Sequence, residues 1–250
     1  MSLGKVLPDQ IVAVILAGGL GTRIQHLLPN LPKPMAPVAG RPCIEWLVRY
    51  LAKQGIKRVV ISTGYRAEMV ATHFDPQPVA GLEISCVAET APLGTAGGLW
   101  HAVRASRLTP PAWLVLNGDT FCFADLRLTA ARLADSALAG VMYAREVPDA
   151  LRYGSLVVDA NGCLAEFVEK RPGKGLISTG IYLLRDALVQ TFPDRRPLSL
   201  EREVFPEWTI SRKVLKVEIT RAPFLDIGTP ETLAAAETFV RQNQSQFQLD

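Results

Sequence analysis

Residues 11–16, Ile-Val-Ala-Val-Ile-Leu, are apolar at every position and mostly β-branched, and the run halts at Gly18 and Gly19. A strand with no polar face has no side to give to water, so both faces need cover. This is the pattern of a parallel strand flanked by helices. The run is too short to span a bilayer, and neither a basic leader nor a cleavage context accompanies it. It predicts a buried strand feeding a glycine-rich loop, and no membrane association is expected.

The same alternation continues downstream. Apolar residues at Ile44, Leu47, Val48 and Leu51 form a helical stripe over 43–54, closed by Gly55. Strands are expected at 58–62, 82–87 and 113–117, with helices at 67–74 and 95–105 between them. Residues 138–144 continue the strands. Segments 155–158 and 164–168 then flank Asp159-Ala160-Asn161-Gly162, a hairpin signal. Further strands are predicted at 177–184 and 214–219, and Thr229-Pro230 reads as N-cap and first residue of a final helix. The pattern gives an α/β chain: a Rossmann-like, doubly wound, mostly parallel sheet with an antiparallel hairpin insertion.

Length and composition support one unit. At 250 residues with 48% hydrophobic and 20% charged residues, the chain suits a single domain over 1–250 with a large core. The formal net charge of +3, with scattered Lys and Arg, does not suit a nucleic-acid surface but does suit a small anionic ligand. Cys43, Cys86, Cys122 and Cys163 lie far apart, without zinc-ligand or disulfide spacing, which fits a reducing cytoplasm. His26, His73 and His101 show no metal-site spacing and receive no role.

The most informative segment is Leu16-Ala17-Gly18-Gly19-Leu20-Gly21-Thr22-Arg23. Glycines let backbone N–H groups approach an anion, and Arg23 and Thr22 add donors to phosphate oxygens. A dinucleotide loop would need glycine where Ile24 stands, and a P-loop would need Gly-Lys-Ser/Thr, so neither motif matches. Alone, such a loop is equally a tight connection between elements. Lys33 follows, held between Pro32 and Pro34, which restrict the backbone around one long cation. Alone it reads as a solvated lysine; beside the loop it reads as a phosphate-directed charge.

Together the Gly-Gly-x-Gly-Thr-Arg loop and Pro32-Lys33-Pro34 resemble the nucleoside-diphosphate-sugar pyrophosphorylases, the sugar-1-phosphate nucleotidyltransferase family. Glu89 with Pro92-Leu93-Gly94-Thr95-Ala96-Gly97, then Asn117-Gly118-Asp119, Glu169-Lys170-Arg171-Pro172 and Asp226-Ile227-Gly228-Thr229-Pro230 extend the resemblance over nearly the whole chain. It implies a GT-A-like nucleotidyltransferase fold. It also implies an enzyme that joins a nucleoside triphosphate to a sugar 1-phosphate, releasing pyrophosphate.

The chemistry demanded by that reaction is electrostatic. A phosphate monoester has a second pKa near roughly 6, so the attacking oxygen needs no general base. Repulsion between two polyanions is the obstacle, and cations and alignment remove it. By the resemblance, Arg23 holds the departing pyrophosphate, Lys33 sits against the α-phosphate and Lys170 binds the attacking phosphate. Asp119 and Asp226 hold Mg²⁺, a hard ion suited to carboxylate oxygen. Leu16, Ala17, Gly18, Gly19, Gly21, Thr22, Glu89, Gly94, Thr95, Asn117 and Gly118 are assigned to the nucleotide, with the glycine run 94–98 accommodating the base. Glu89 can accept two parallel hydrogen bonds from guanine N1–H and N2–H₂, favouring GTP. Tyr153, Gly154, Glu169, Ser178, Thr179 and Gly180 are assigned to the sugar, and Ser178 stands where the family usually has asparagine.

Within the family these segments look most like the D-glycero-D-manno-heptose 1-phosphate guanylyltransferases, with mannose 1-phosphate guanylyltransferases close behind. Uridylyl-, cytidylyl- and thymidylyltransferases stay open as alternatives. A non-catalytic, nucleotide-sugar-binding regulatory subunit is the alternative of another class, and retention of Arg23, Lys33, Asp119, Lys170 and Asp226 argues against it. The product would feed a capsule, lipopolysaccharide or other surface polysaccharide. Larger relatives append a further C-terminal domain, so a minimal catalytic form is expected here. A homo-oligomer is left open.

Overall fold

A computed structural model describes residues 6–169 and 171–248 of the chain. Nine strands make one mixed sheet. Its first half consists of β1 (Val12–Ala17), β2 (Arg58–Thr63), β3 (Glu83–Ala88) and β4 (Ala112–Asn117). These four are parallel, in spatial order β4-β1-β2-β3. Helices α1 (Cys43–Lys53), α2 (Ala67–Phe74) and α3 (Thr95–Ser106) connect them. The expected helix after Pro42 ends where Gly55, at φ +88°, takes the left-handed conformation that breaks it.

The side chains of β1 explain why its run is unbroken. Ala13, Ile15 and Ala17 enter one apolar cluster, whereas Val12 and Val14 enter another on the opposite face. β4 repeats the division, with Leu114 and Leu116 on one side and Trp113 and Val115 on the other. The period of two therefore carries each strand into two separate cores, and only apolar residues suit both. Trp113 is fully buried, and its indole N–H donates to Asp186 Oδ1 at 2.7 Å.

A short strand β5 (Thr120–Cys122) and helix α4 (Leu126–Arg132) lead into the second half. It contains β6 (Gly140–Val147), the hairpin β7 (Gly154–Val158) and β8 (Leu164–Glu169), β9 (Gly175–Arg185) and β10 (Leu215–Ile219). The expected hairpin is present, with its turn closed by Asp159 Oδ1, which accepts from the backbone N–H groups of Asn161 and Cys163. The antiparallel region extends beyond it, since β9 lies antiparallel to β4 on one side and to β6 on the other. Helix α5 (Asp186–Val189), a π-turn at Leu200–Val204 and helix α6 (Phe205–Ile210) cover this half.

One small ribbon matters for the site. Strand β11 (Phe224–Asp226) pairs antiparallel with β5, placing Asp226 opposite Thr120. Ile227 N–H donates to the Asp119 carbonyl at 2.8 Å, which extends the ribbon by one rung. The final helix α7 (Pro230–Gln242) starts as expected, with Thr229 as cap and Pro230 in its first turn.

Candidate active site

The C-terminal ends of β1 and β4 lie side by side, and open α/β sheets bind ligands at this edge. The chain leaves β1 through Gly18, whose carbonyl would lie 2.4 Å from a Cβ at Gly64. It leaves β4 through Gly118, whose N–H donates to Leu16 O at 2.8 Å. Small residues thus let the chain leaving β2 and β4 pack against the end of β1 through backbone.

Gly21 makes the most exacting contact in the loop. Its φ is +61°, and a Cβ there would stand 2.8 Å from Lys33 Cβ. The expected consequence of Gly21→Ala is a displaced Lys33, with kcat lowered about tenfold or more. The fold should lose about 1–3 kcal/mol from strain at such a position, and more for the shift that the clash with Lys33 Cβ forces. A steady-state assay with a melting curve checks this, and unchanged kcat contradicts it.

Lys33 begins a one-turn 3₁₀ helix, Lys33–Met35, in which Ala36 N–H closes on Lys33 O at 3.0 Å. The proline-flanked backbone therefore does orient the side chain inward. Its side chain is 11% exposed, and the ammonium lies 2.6 Å from Asp119 Oδ2. Downstream, the Asp226 carboxyl is pushed above the usual aspartate range. Burial is the largest cause and the charge of Asp119 adds to it, while Lys33, Arg23 and Arg152 pull the other way. Gly228 keeps this corner open, because a Cβ there would lie 2.9 Å from Asp226 Oδ2 and 3.1 Å from Arg23 Nη2. Arg23, Lys33, Asp119 and Asp226 therefore belong to one cluster of opposed charges.

Two chambers meet at that cluster. The larger, about 440 Å³, is lined by Leu16, Ala17, Gly18, Gly19, Gly21, Thr22, Glu89, Gly94, Thr95, Asn117 and Gly118, together with Lys33. The smaller, about 200 Å³, is lined by Tyr153, Gly154, Ser178, Thr179, Gly180 and Asp226. Arg23, Asn117 and Asp119 line both. Asn117 Oδ1 is buried and lacks a hydrogen-bond partner among the described residues, an acceptor suited to a ligand hydroxyl.

Several expected residues carry internal duties as well. Glu89 reaches the larger chamber, but Oε1 accepts from Ser62 Oγ at 3.0 Å and Oε2 from Leu93 N–H at 3.1 Å. Each oxygen retains a second lone pair for a base. The glycines of the run also make space for neighbouring side chains. A Cβ at Gly98 would meet Glu89 Oε1 at 2.6 Å, and one at Gly97 would meet Arg196 Cδ at 2.8 Å. Gly94 alone of the run's glycines lines the larger chamber.

In the smaller chamber, Thr179 is buried and donates to Tyr143 O at 3.2 Å, so its hydroxyl is committed within the protein. Ser178 Oγ accepts from Gly180 N–H at 3.2 Å and lies 3.0 Å from the Tyr182 hydroxyl. Gly180, at φ +75°, sits in the irregular stretch of β9, and a Cβ there would strike Asn117 Nδ2 at 2.6 Å. Gly154 makes room for the Phe167 ring. Lys170 lies outside the described residues. For Glu169 only the backbone is described, paired with Gly154 at the end of β8.

Sequence reasoning missed Thr120, Arg152, Phe167, Tyr182, Glu201 and Phe224 in the smaller chamber. Glu201 Oε2 accepts from Thr95 Oγ1 at 2.6 Å and so joins the two chambers' walls. Nothing local marks these positions; proximity to the later strands brings them in. Among the described residues no group of three or more His, Cys, Asp or Glu side chains is placed to hold a metal. No helix among them is long and apolar enough to cross a membrane.

The chain is 34% identical over 220 residues to the D-glycero-alpha-D-manno-heptose 1-phosphate guanylyltransferase of Campylobacter jejuni, covering 88% of this chain and 95% of that protein. The mannose-1-phosphate guanylyltransferase of Mycobacterium tuberculosis is 33% identical over 226 residues, 89% of this chain and 62% of the relative. Among solved structures, HddC from Yersinia pseudotuberculosis complexed with GMP-PN superposes with a TM-score of 0.76 at 32% identity. That match covers 91% of this chain and 98% of HddC. The sequence profile described as Nucleotidyl transferase matches residues 12–243. With its glycine loop, its inward lysine and its α/β sheet in place, the chain belongs to the nucleotidyl transferase family.

Proposed function

We propose that this chain transfers GMP from GTP to a sugar 1-phosphate, with D-glycero-D-manno-heptose 1-phosphate the favoured acceptor and Mg²⁺ the metal. The observation that carries the reading is the junction: two chambers share Arg23, Asn117 and Asp119, and Lys33 stands beside them. A donor nucleotide in the larger chamber and a phosphorylated sugar in the smaller would meet there.

The reaction is one displacement. An oxygen of the sugar phosphate forms a bond to the α-phosphorus, and the bond from that phosphorus to the β-phosphate oxygen breaks, releasing pyrophosphate. Lys33 stabilises charge at the α-phosphate, and Arg23, beside Gly228, holds the leaving pyrophosphate. Glu89 accepts from the guanine edge with its remaining lone pairs, and Asn117 Oδ1 accepts a ligand hydroxyl. Lys170 is assigned to the attacking phosphate, and Glu169 to sugar hydroxyls.

Asp119 and Asp226 fit a metal of this kind. They supply two hard oxygen donors from adjacent rungs of one ribbon, too few for a resident ion but enough for one whose remaining ligands are phosphate and water. When bound, magnesium would neutralise negative charge on the triphosphate. Four free thiols, two of them buried, suit the reducing cytoplasm as the setting.

A panel pairing GTP, UTP, CTP and dTTP with heptose, mannose and glucose 1-phosphates tests the substrate assignment. Highest kcat/KM is expected for GTP with the heptose, abolished by a chelator and restored by added Mg²⁺. Preference for another nucleotide would refute the base assignment, and full activity in excess chelator would refute the metal.

A further inference from the structure

A sugar 1-phosphate brings a dianion into the smaller chamber, where Asp119, Asp226 and Glu201 already present carboxylates. Among the described residues only Arg23 and Arg152 line that chamber as cations. Arg23 also lines the larger chamber, where the triphosphate claims it under the proposed function. Lys170, assigned to the same phosphate, lies outside the described residues, and among the described ones Arg152 is the cation that can add charge on the sugar side alone.

Arg152 is built for that task. It lies in the connection between β6 and β7, whose backbone is well anchored. Asp149 Oδ1 accepts from Leu151 N–H at 3.1 Å and Gly173 N–H at 3.2 Å, and Ala150 N–H donates to Gly173 O at 2.9 Å. The side chain, by contrast, is loosely held. It is 43% exposed, and Nη2 stands 3.6 Å from Asp226 Oδ2, too far for a hydrogen bond. Its other neighbours are the Tyr153 ring, 5.9 Å from Cζ to centroid, and the Glu231 carboxylate, whose charge it feels without a hydrogen bond. An ion pair of that length, with its guanidinium half in water and no hydrogen bond, holds the arginine weakly and can exchange for a stronger partner. A phosphate offers one, since guanidinium and phosphate match in a two-pronged geometry.

We infer that Arg152 is a phosphate ligand of the acceptor, its guanidinium exchanging Asp226 for the phosphate of the incoming sugar 1-phosphate. The inference rests on the transferase reading. It assigns the sugar side a charge whose position is fixed by the Asp149–Gly173 anchor and whose head is free to turn. The competing view makes Arg152 only a counter-charge for Asp226 and Glu231.

The two views separate in steady-state kinetics with GTP, Mg²⁺ and heptose or mannose 1-phosphate, whichever the wild-type chain uses. Arg152→Gln should raise KM for the sugar phosphate about tenfold or more and leave KM for GTP within about twofold. Inhibition by inorganic phosphate competing with the sugar phosphate should weaken by a similar factor, while inhibition by the unphosphorylated sugar stays unchanged. Arg152→Lys, which keeps the charge, should recover part of the loss, and it carries the test if the glutamine variant melts early. An active wild type whose Arg152→Gln and Arg152→Lys variants both keep its sugar-phosphate KM overturns the assignment and leaves the transferase reading intact. A wild type inactive with every pair overturns the transferase reading itself.

Discussion

Lys33→Ala is expected to lower kcat by about 10²-fold or more while the melting temperature stays close to that of the wild type. The magnitude follows from what one preorganised charge donor contributes where charge develops in a transition state. Preorganisation is visible at three levels. Pro32 and Pro34 flank the residue in a one-turn helix, Gly21 leaves the space its side chain crosses, and the ammonium ends 2.6 Å from Asp119 Oδ2 at the chamber junction. Stability should change little because Asp119 is substantially exposed and regains water when its partner is removed. Single-turnover rates at saturating substrates measure the effect. A kcat within about threefold of the wild type would remove Lys33 from the chemistry.

The largest stability effect is expected at Glu45, which lines neither chamber. Its carboxylate is 2% exposed, and Oε1 accepts from Arg49 Nε at 2.8 Å and Arg41 Nη1 at 2.9 Å, while Oε2 lies 2.8 Å from His73 Nε2. Arg49 is 1% exposed and also donates from Nη1 to Gln248 O at 3.0 Å. The buried pair thereby ties α1 to the segment carrying Phe247, whose ring packs on Trp46 and Phe123. Glu45→Ala removes the carboxylate from a buried guanidinium, and breaking such a pair costs about 3–5 kcal/mol. That is a large share of a typical stability of about 5–15 kcal/mol. Denaturant unfolding measures it; a loss below about 1 kcal/mol would show that the pair is not a structural hinge-pin.

The same group gives a pH dependence. Burial alone would push the Glu45 carboxyl up, but hydrogen bonds from Arg49 and His73 and the charges of Arg49 and Arg41 outweigh it and hold it below the usual range. A depressed folded-state pKa means the stabilisation is fully present above the unfolded value, about 4.3. It is lost as pH falls through the lower folded value. The wild type should therefore lose more stability than the Glu45→Ala variant over that acid interval.

What was legible in the sequence was local or strongly patterned. β1 announced itself because both its faces enter apolar cores, and the Gly18 to Arg23 loop and Lys33 are near neighbours in the chain. Asp119 could be placed because it follows an apolar strand directly. Asp226 was found by motif alone, and what puts it beside Asp119 is the β5/β11 ribbon, a non-local pairing of two very short strands. Helix α6 escaped notice because Pro206 sits within it, tolerated only in the first turn. Arg152 and Glu201 lack any local signature, and their meaning comes from the chamber walls they share. The glycines after Leu93 read in the sequence as space for a base; the structure adds that Gly97 and Gly98 also leave room for Arg196 and Glu89.

The fate of labelled phosphorus tests the central claim most directly, because the claim is that distant cations and carboxylates act on a single α-phosphorus. With GTP, Mg²⁺ and a sugar 1-phosphate, label from the α-position should appear only in a sugar nucleotide, one for each pyrophosphate carrying the β and γ label. Recovery of the α label as free GMP, or GTP bound without any conversion across the acceptor panel, would contradict the account.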